Sequence, residues 1–247
     1  MNKIKRVVCW FSCGATSAVA TKLIIEKYRD KYPVIVAYCD TGSEHSDNKR
    51  FLRDCEKWFG QEIISLKNKK FNDIYEVFNS SGFIANRFGA KCSFEMKKRV
   101  RQEFEDLEFD LQIFGFDKKE QKRVDRFCSN NPLVLVEFPL IEKGLTKEDC
   151  LIILMKNKID LPVLYKMGYK NNNCIGCVKG ATGYWNKIRK DFPDVFEKTS
   201  DIEERLGAKL LVVWKKGIAK HISLKELPED IGNYKSELPI SCGFMCE

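Results

Sequence analysis

The sequence predicts an α/β fold: a five-stranded parallel sheet with helices on both faces, followed by a small C-terminal cysteine-containing appendage. Two observations lead there. Short apolar runs alternate with helix-period segments from Arg6 to Pro139, and that alternation gives a parallel sheet covered on both sides. The first two apolar runs also end in small or polar flexible residues, the position at which open α/β sheets bind ligands.

The first run, Val7 to Phe11, leads into Ser12-Cys13-Gly14-Ala15-Thr16-Ser17, after which Ala18, Val19, Leu23 and Ile24 recur at helical spacing. This reads as strand, tight loop, helix. Such a loop aims backbone amides and hydroxyls at one spot beside a positive helix end, and small side chains let an anion come close. The same residues also read as a helix merely capped by Ser12 or Thr16.

Val34 to Cys39 is a second buried strand, ending in Asp40-Thr41-Gly42-Ser43-Glu44-His45. A helix over 47–59 follows, with Phe51, Leu52, Cys55 and Trp58 inward and Gly60 as its stop. Glu62 to Leu66 is a third strand, and a short helix near Ile74 to Phe78 comes next. Ser93 is placed to cap a charged helix from Glu95 to Asp106. Leu111 to Phe114 and Leu133 to Val136 give strands four and five, with a helix around Glu120 to Phe127 between them. After Pro139 the alternation stops. Thr146 caps a helix to Asn157, Cys174-Ile-Gly-Cys177 follows, and Leu210 to Trp214 with Ile218 to Ile222 reads as a hairpin. The expected division is a nucleotide-binding domain over 1–140 and a helical and hairpin extension over 141–247.

Both charge signs are abundant, with 43 basic and 35 acidic residues and a net charge of +8. The balance suits an anionic substrate, with nucleic acid among the candidates, and is not that of a simple polycation. No apolar run approaches the roughly 18 to 20 residues that span a bilayer, so no membrane partner is expected. The first residues run straight into a core strand and do not read as a signal peptide. Eleven cysteines without such a signal point to the cytoplasm, where grouped cysteines bind metal or do redox chemistry more often than they form disulfides. Cys174 and Cys177 form a C-x-x-C pair, whose two thiolates converge on zinc or an iron–sulfur cluster. Cys9, Cys39, Cys55, Cys128 and Cys150 lie in apolar or helical runs and read as inert packing residues.

Residues 12–17 resemble the S-G-G-x-D-S PP-loop of ATP pyrophosphatases and of 3′-phosphoadenylyl sulfate (PAPS) reductases, with Cys13 for a glycine and Thr16 for the aspartate. The glycine change is expected to crowd the anion nest slightly, and the lost carboxylate weakens the case for a Mg2+ ion. Tyr38-Cys-Asp-Thr-Gly42 resembles the D-T-G turn of the reductases. Gly115-Phe-Asp-x-x-Glu120-x-x-Arg123 resembles their G-x-x-x-x-E-x-x-R segment. Leu161-Pro162, Leu164-Tyr165, Gly168-Tyr169 and the C-x-x-C fall in the family's order. The chain is thus similar to the PAPS reductase-like group, of adenine nucleotide alpha-hydrolase fold, over about residues 6 to 190.

That resemblance implies an adenine nucleotide, ATP or PAPS, bound by residues 12–17, Asp40, Thr41, Gly42, Gly115 and Arg123. Arg123 would meet phosphate or sulfate, or be tied up by Glu120. Adenylyl sulfate reductases pair a double cysteine with a distant C-x-x-C around a [4Fe-4S] cluster. Here Cys92 stands alone beside Ser93, so a fourth ligand would come from Cys242, Cys246, a sulfide or substrate. The tail Ser241-Cys242-Gly243 is similar to the family's E-C-G-x-H, in which the cysteine attacks sulfur. This gives Cys242 two readings, nucleophile or metal ligand with Cys246, Cys174 and Cys177. The implied activity is reduction or transfer of sulfur from an adenylylated species, with a thioredoxin-like electron donor for a reductase. The alternative is ATP-dependent adenylation with sulfur transfer to a nucleic-acid acceptor; Cys242 and Cys92 are the candidate catalytic residues. A third reading is a non-catalytic binding protein with structural zinc. Lys97, Lys98, Arg99 and Arg101 would hold a nucleotide or a strand, or form a solvated helix face. His45 would touch ligand, and Tyr184 and Trp185 would stack on a base or fill the core.

Overall fold

The computed structural model describes residues 4–86, 89–215, 217–240 and 242. Strands β1 (Arg6–Trp10), β2 (Val34–Asp40) and β3 (Ile63–Lys67) are followed by the two-residue strands β4 (Ala85–Asn86) and β5 (Gly89–Ala90). Strands β6 (Asp110–Ile113) and β7 (Val136–Glu137) come next, and β8 (Leu211–Lys215) and β9 (Ile218–Ile222) close the series. The main sheet has five strands in the order β3-β2-β1-β6-β7, all parallel. β1 lies at the centre because its apolar residues Val7, Val8 and Cys9 are fully buried between two helical layers. The chain leaves β1 towards β2 on one side and returns as β6 on the other. The crevice between the ends of β1 and β6 is therefore the switch point at which such sheets bind ligands.

Helix α1 (Ala15–Tyr28) packs Ala18, Val19, Ile24 and Ile25 on one face of the sheet, together with Phe51, Cys55 and Phe59 of helix α2 (Asn48–Phe59). Cys150 and Leu154 of the helix Lys147–Lys156 join that layer. The other face holds Trp10, Phe114, Phe116, Phe127 and Phe138. A third core, with Trp185 fully buried at its centre, gathers Leu164, Tyr184, Ile188, Phe196 and Leu211. Tyr184 and Trp185 thus fill the core and are not available to stack on a base.

Local signals explain most element ends. Gly60 takes φ 71° and stops α2, while Asp73 caps helix α3 (Ile74–Ser81) by accepting from the Glu76 amide at 2.8 Å. Thr146 and Asp149 form the capping box that starts the helix Lys147–Lys156. Four expectations are corrected. Gly14, not Ser12 or Thr16, stands at the N-cap of α1. Ser93 caps nothing: the helix begins at Lys91, and Ser93 lies inside it with its hydroxyl turned to Cys242. The fifth strand shrinks to Val136–Glu137, because the Val134 amide donates back to the Asn131 carbonyl at 3.1 Å in a turn that leaves Leu133 78 % exposed. Cys128 is exposed: in its helix only Val124 and Phe127 are buried.

The loops after β1 and β6 meet at Gly115. A Cβ there would lie 2.6 Å from the Ser17 Cα and 2.7 Å from its amide nitrogen, so only glycine admits this approach. Gly115→Ala is predicted to lower the unfolding free energy by about 1–3 kcal/mol by overpacking against backbone. Urea denaturation checks this, with Lys190→Ala on the exposed side of its helix as a neutral control.

Candidate functional site

Residues 12–17 turn sharply between β1 and α1. Cys13 adopts φ 59°, the left-handed region that the family pattern fills with glycine. For a side chain this costs roughly 1–2 kcal/mol. The expected crowding of the nest does not occur. The Cys13 side chain is fully buried, with Sγ 3.7 Å from the Asn48 carbonyl. Ser17 Oγ accepts from the Ser12 amide at 3.1 Å and the Gly14 amide at 3.4 Å, and the Ala15 amide donates to the Tyr165 hydroxyl at 3.3 Å. All three contacts are longer than the usual 2.9–3.0 Å. Ser12 is exposed, and Gly14 and Thr16 are half-buried, so the turn opens to solvent.

The turn after β2 lies between this loop and a group of thiols. Asp40 shapes it, accepting from the Gly42 amide at 2.9 Å and pairing with Lys67 at 3.1 Å. Gly42 has φ 64°, and a Cβ there would fall 1.9 Å from the Asn72 carbonyl oxygen. The buried Thr41 hydroxyl lies 3.1 Å from Cys174 Sγ. Arg123 is ion-paired to Glu120 and stacked over Phe116 at 4.5 Å, so Glu120 does occupy it. His45 accepts from the Asp47 amide at 3.1 Å.

Cys92, Cys174, Cys177 and Cys242 line one cleft, together with Thr41, Ser93 and Lys97. Three separate parts of the chain supply these thiols. Cys92 stands in the short helix Lys91–Ser93, which runs into a π-helical stretch Phe94–Arg99 and then the helix Val100–Phe104. The wider π turn changes which residues face inward, and it splits the cationic run. Lys97 reaches the cleft, Arg99 pairs with Glu95 at 3.1 Å, and Arg101 is buried against Glu105 at 3.0 Å. The run therefore forms neither a single phosphate-binding stripe nor a solvated face. The C-x-x-C turn depends on Gly176, at φ 71° against Val195, and on the Cys177 amide donating to the Tyr184 hydroxyl at 2.9 Å. Cys246 lies outside the described residues.

Burial raises the thiols of Cys92 and Cys174 well above their ordinary range and pushes Cys177 up to about 11, while the Lys97 charge draws all three back. Burial also opposes the Lys97 charge, but Cys242, Cys174, Glu44 and Tyr38 outweigh it and raise this ammonium. The buried Cys39 and Cys150 are pushed up to about 12 by desolvation, in keeping with inert packing. Among the described residues no three His, Cys, Asp or Glu side chains converge closely enough to hold a single metal ion.

The sequence reading missed the three asparagines just before the C-x-x-C. Asn172 is buried, and its Nδ2 donates to the Cys13 carbonyl at 2.7 Å and to Asn48 Oδ1 at 2.8 Å. Asn171 and Asn173 donate to the Ile240 carbonyl at 2.6 and 3.1 Å. This segment thus joins the loop after β1, the thiol cleft and the tail. Three consecutive amide side chains abutting a C-x-x-C were the available signal.

The phosphoadenosine phosphosulfate reductase domain matches residues 6–183 of this sequence. The chain belongs to that family. The match takes in both the loop after β1 and the C-x-x-C. The chain is also 25% identical over 216 residues to the uncharacterized protein MJ0066 of Methanocaldococcus jannaschii, covering 81% of this chain and 42% of that protein. It is 24% identical over 214 residues to MJ0973 of the same organism, covering 83% and 49%. It therefore spans less than half the length of either curated relative. Among solved structures, a PAPS reductase from Candida auris in phosphate complex is similar at TM-score 0.48 and 15% identity, over 70% of this chain and 81% of that one. The U34-tRNA thiolase NcsA of Methanococcus maripaludis, solved with its [4Fe-4S] cluster, is similar at TM-score 0.46 and 16% identity, over 84% and 74%. In the described residues no helix is long and apolar enough to cross a membrane.

Asn172→Ala is predicted to lower the unfolding free energy by about 1–3 kcal/mol, because the Cys13 carbonyl and Asn48 lose a buried partner. Asn157→Ala, at an exposed helix end, should change it far less. Urea denaturation of both variants checks the difference.

Proposed function

We propose that this chain is an enzyme that binds an adenine nucleotide at residues 12–17 and reduces or transfers sulfur from an adenylylated sulfur species beside the thiol cleft. The observation that carries this reading is the 3.1 Å contact between Thr41 Oγ1 and Cys174 Sγ, which makes the turn next to the loop part of the cleft wall.

The chain's own groups suggest how the nucleotide is held. The amides of Ser12, Gly14 and Ala15 now donate weakly to two neutral hydroxyls, Ser17 and Tyr165. A phosphate is a stronger acceptor and would take these donors over, next to the positive end of α1. Asp40, Thr41, Gly42 and Gly115 shape the space around it. With Thr16 in place of aspartate and Asp40 held by Lys67, a Mg2+ ion has no carboxylate in the loop itself. Lys97 supplies a fixed positive charge in the cleft for an anionic sulfur group.

The thiols fit an iron–sulfur cluster better than zinc. Zinc needs its sulfurs about 2.3 Å from one centre, whereas each thiolate of a cluster binds a different iron and the donors stand further apart. Cys92, Cys174 and Cys177 would hold the cluster. When bound it supplies a redox-capable, sulfur-rich centre beside the nucleotide. One observation favours the second reading, ATP-dependent adenylation with sulfur transfer to a nucleic acid. Cys242 lines the thiol cleft, whose walls do not include residues 12–17. A reductase's tail nucleophile must instead reach sulfur at the nucleotide.

Turnover of the anaerobically purified chain separates the readings. Sulfite released from PAPS supports the first, and pyrophosphate released from ATP with an RNA acceptor supports the second. Absence of both, with zinc bound, contradicts the enzyme reading. Gly14→Val is predicted to weaken nucleotide binding at least tenfold by titration calorimetry while leaving iron content unchanged. Its Cβ meets only ordinary contacts, 3.4 Å from the Tyr165 hydroxyl, but the added bulk shields the amides.

A further inference from the structure

Adenylyl sulfate reductases, whose cysteine arrangement Cys92 and the C-x-x-C resemble, carry two adjacent cysteines where Cys92 and Ser93 stand, so one thiol of that set is missing. Ser93 is buried, and its Oγ lies 3.4 Å from Cys242 Sγ. A thiol from the far end of the chain therefore touches the atom that a second cysteine's sulfur would replace.

Cys242 does not reach this place on a loose tail. The segment before it is fixed at successive points. Lys170 donates through its backbone amide to the Tyr234 hydroxyl at 2.7 Å and through its ammonium to the Lys235 carbonyl at 2.9 Å. The Glu237 carboxylate accepts from the Gly183 and Tyr184 amides at 2.6 and 2.9 Å, capping the helix Thr182–Asp191. Gly232, at φ 84°, permits the close crossing of that helix start, where a Cβ would fall 2.3 Å from the Gly183 nitrogen. Asn171 and Asn173 then grip the Ile240 carbonyl, two residues before Cys242. These two asparagines directly precede Cys174. The segment that presents the C-x-x-C also aims the tail thiol.

We propose that Cys242 is the fourth cysteine ligand of the cluster, supplied from the far end of the chain to replace the thiol lost at Ser93. This rests on the cluster reading above and deepens it. It takes Cys242 out of the nucleophile role and closes the coordination set with protein thiolates, so that no iron is left open for a sulfide. Ligation involves loss of the thiol proton to solvent and formation of one iron–sulfur bond, with no change of oxidation state required.

The test uses the full chain, anaerobically purified, in three forms: wild type, Cys242→Ala, and Ser93→Cys combined with Cys242→Ala. Iron and acid-labile sulfide are measured before and after a fixed exposure to EDTA. Wild type should hold about four of each per chain and keep them. Cys242→Ala should lose at least half of its iron to the chelator, and Ser93→Cys in the same chain should restore wild-type retention. Rescue by a thiol placed at residue 93 separates ligand loss from simple disturbance of the tail. Equal retention in wild type and Cys242→Ala would overturn the assignment while leaving the cluster in place. Loss in Cys242→Ala without rescue would also overturn it. A wild-type chain that holds no iron would overturn the cluster reading itself, and this assignment with it.

Discussion

One side-chain amide ties the loop after β1 to the thiol cleft. The buried Asn172 donates both hydrogens of its Nδ2, one to the Cys13 carbonyl and one to Asn48 at the start of α2. Two residues later comes Cys174. Any movement of the C-x-x-C segment is therefore felt at the turn after β1, and the left-handed backbone of Cys13 is held in place by a partner on each side. Its carbonyl is gripped by Asn172 and its thiol is buried against α2. Buried polar contacts of this kind are costly to leave half-made, which makes the arrangement specific as well as stable.

The same economy of position governs the thiols. Burial alone would keep all of them protonated and inert, as it does for Cys9, Cys39, Cys55 and Cys150. In the cleft the ammonium of Lys97 faces the sulfur groups from the π-helical stretch Phe94–Arg99 and draws the raised thiols of Cys92, Cys174 and Cys177 back. A π turn gives up regular helical hydrogen bonding, and from it Lys97 reaches the sulfurs while Arg101, four residues on, is buried against Glu105. Positive charge is thereby concentrated where anionic sulfur would gather.

Much of this was legible in the sequence. The strands lie where the apolar runs are, because a central parallel strand must be apolar on both faces. The exception, Leu133 to Val136, is shortened because the Val134 amide closes a turn on the Asn131 carbonyl. The D-T-G turn, Gly115 and the C-x-x-C were visible as residue types at set spacings, and Cys92 was paired with the C-x-x-C by resemblance. Other features depend on through-space partners. Nothing local says that Ser93 faces Cys242, that Asn172 reaches Cys13, or that a π turn parts Lys97 from Arg101. Arg123 shows the reverse case. Its nearest acid, Glu120, sits in the same turn, and the short-range pairing visible in sequence is the one that forms.

The central claim is that the nucleotide loop and the thiol cleft are two halves of one site. It is tested most directly by crystals grown anaerobically with ATP and measured at the iron absorption edge. The account predicts iron scattering bounded by Cys92, Cys174 and Cys177, with the nucleotide phosphates against the amides of residues 12–17 and the Thr41 turn between the two. Phosphates bound elsewhere, or iron scattering away from those three cysteines, would contradict it.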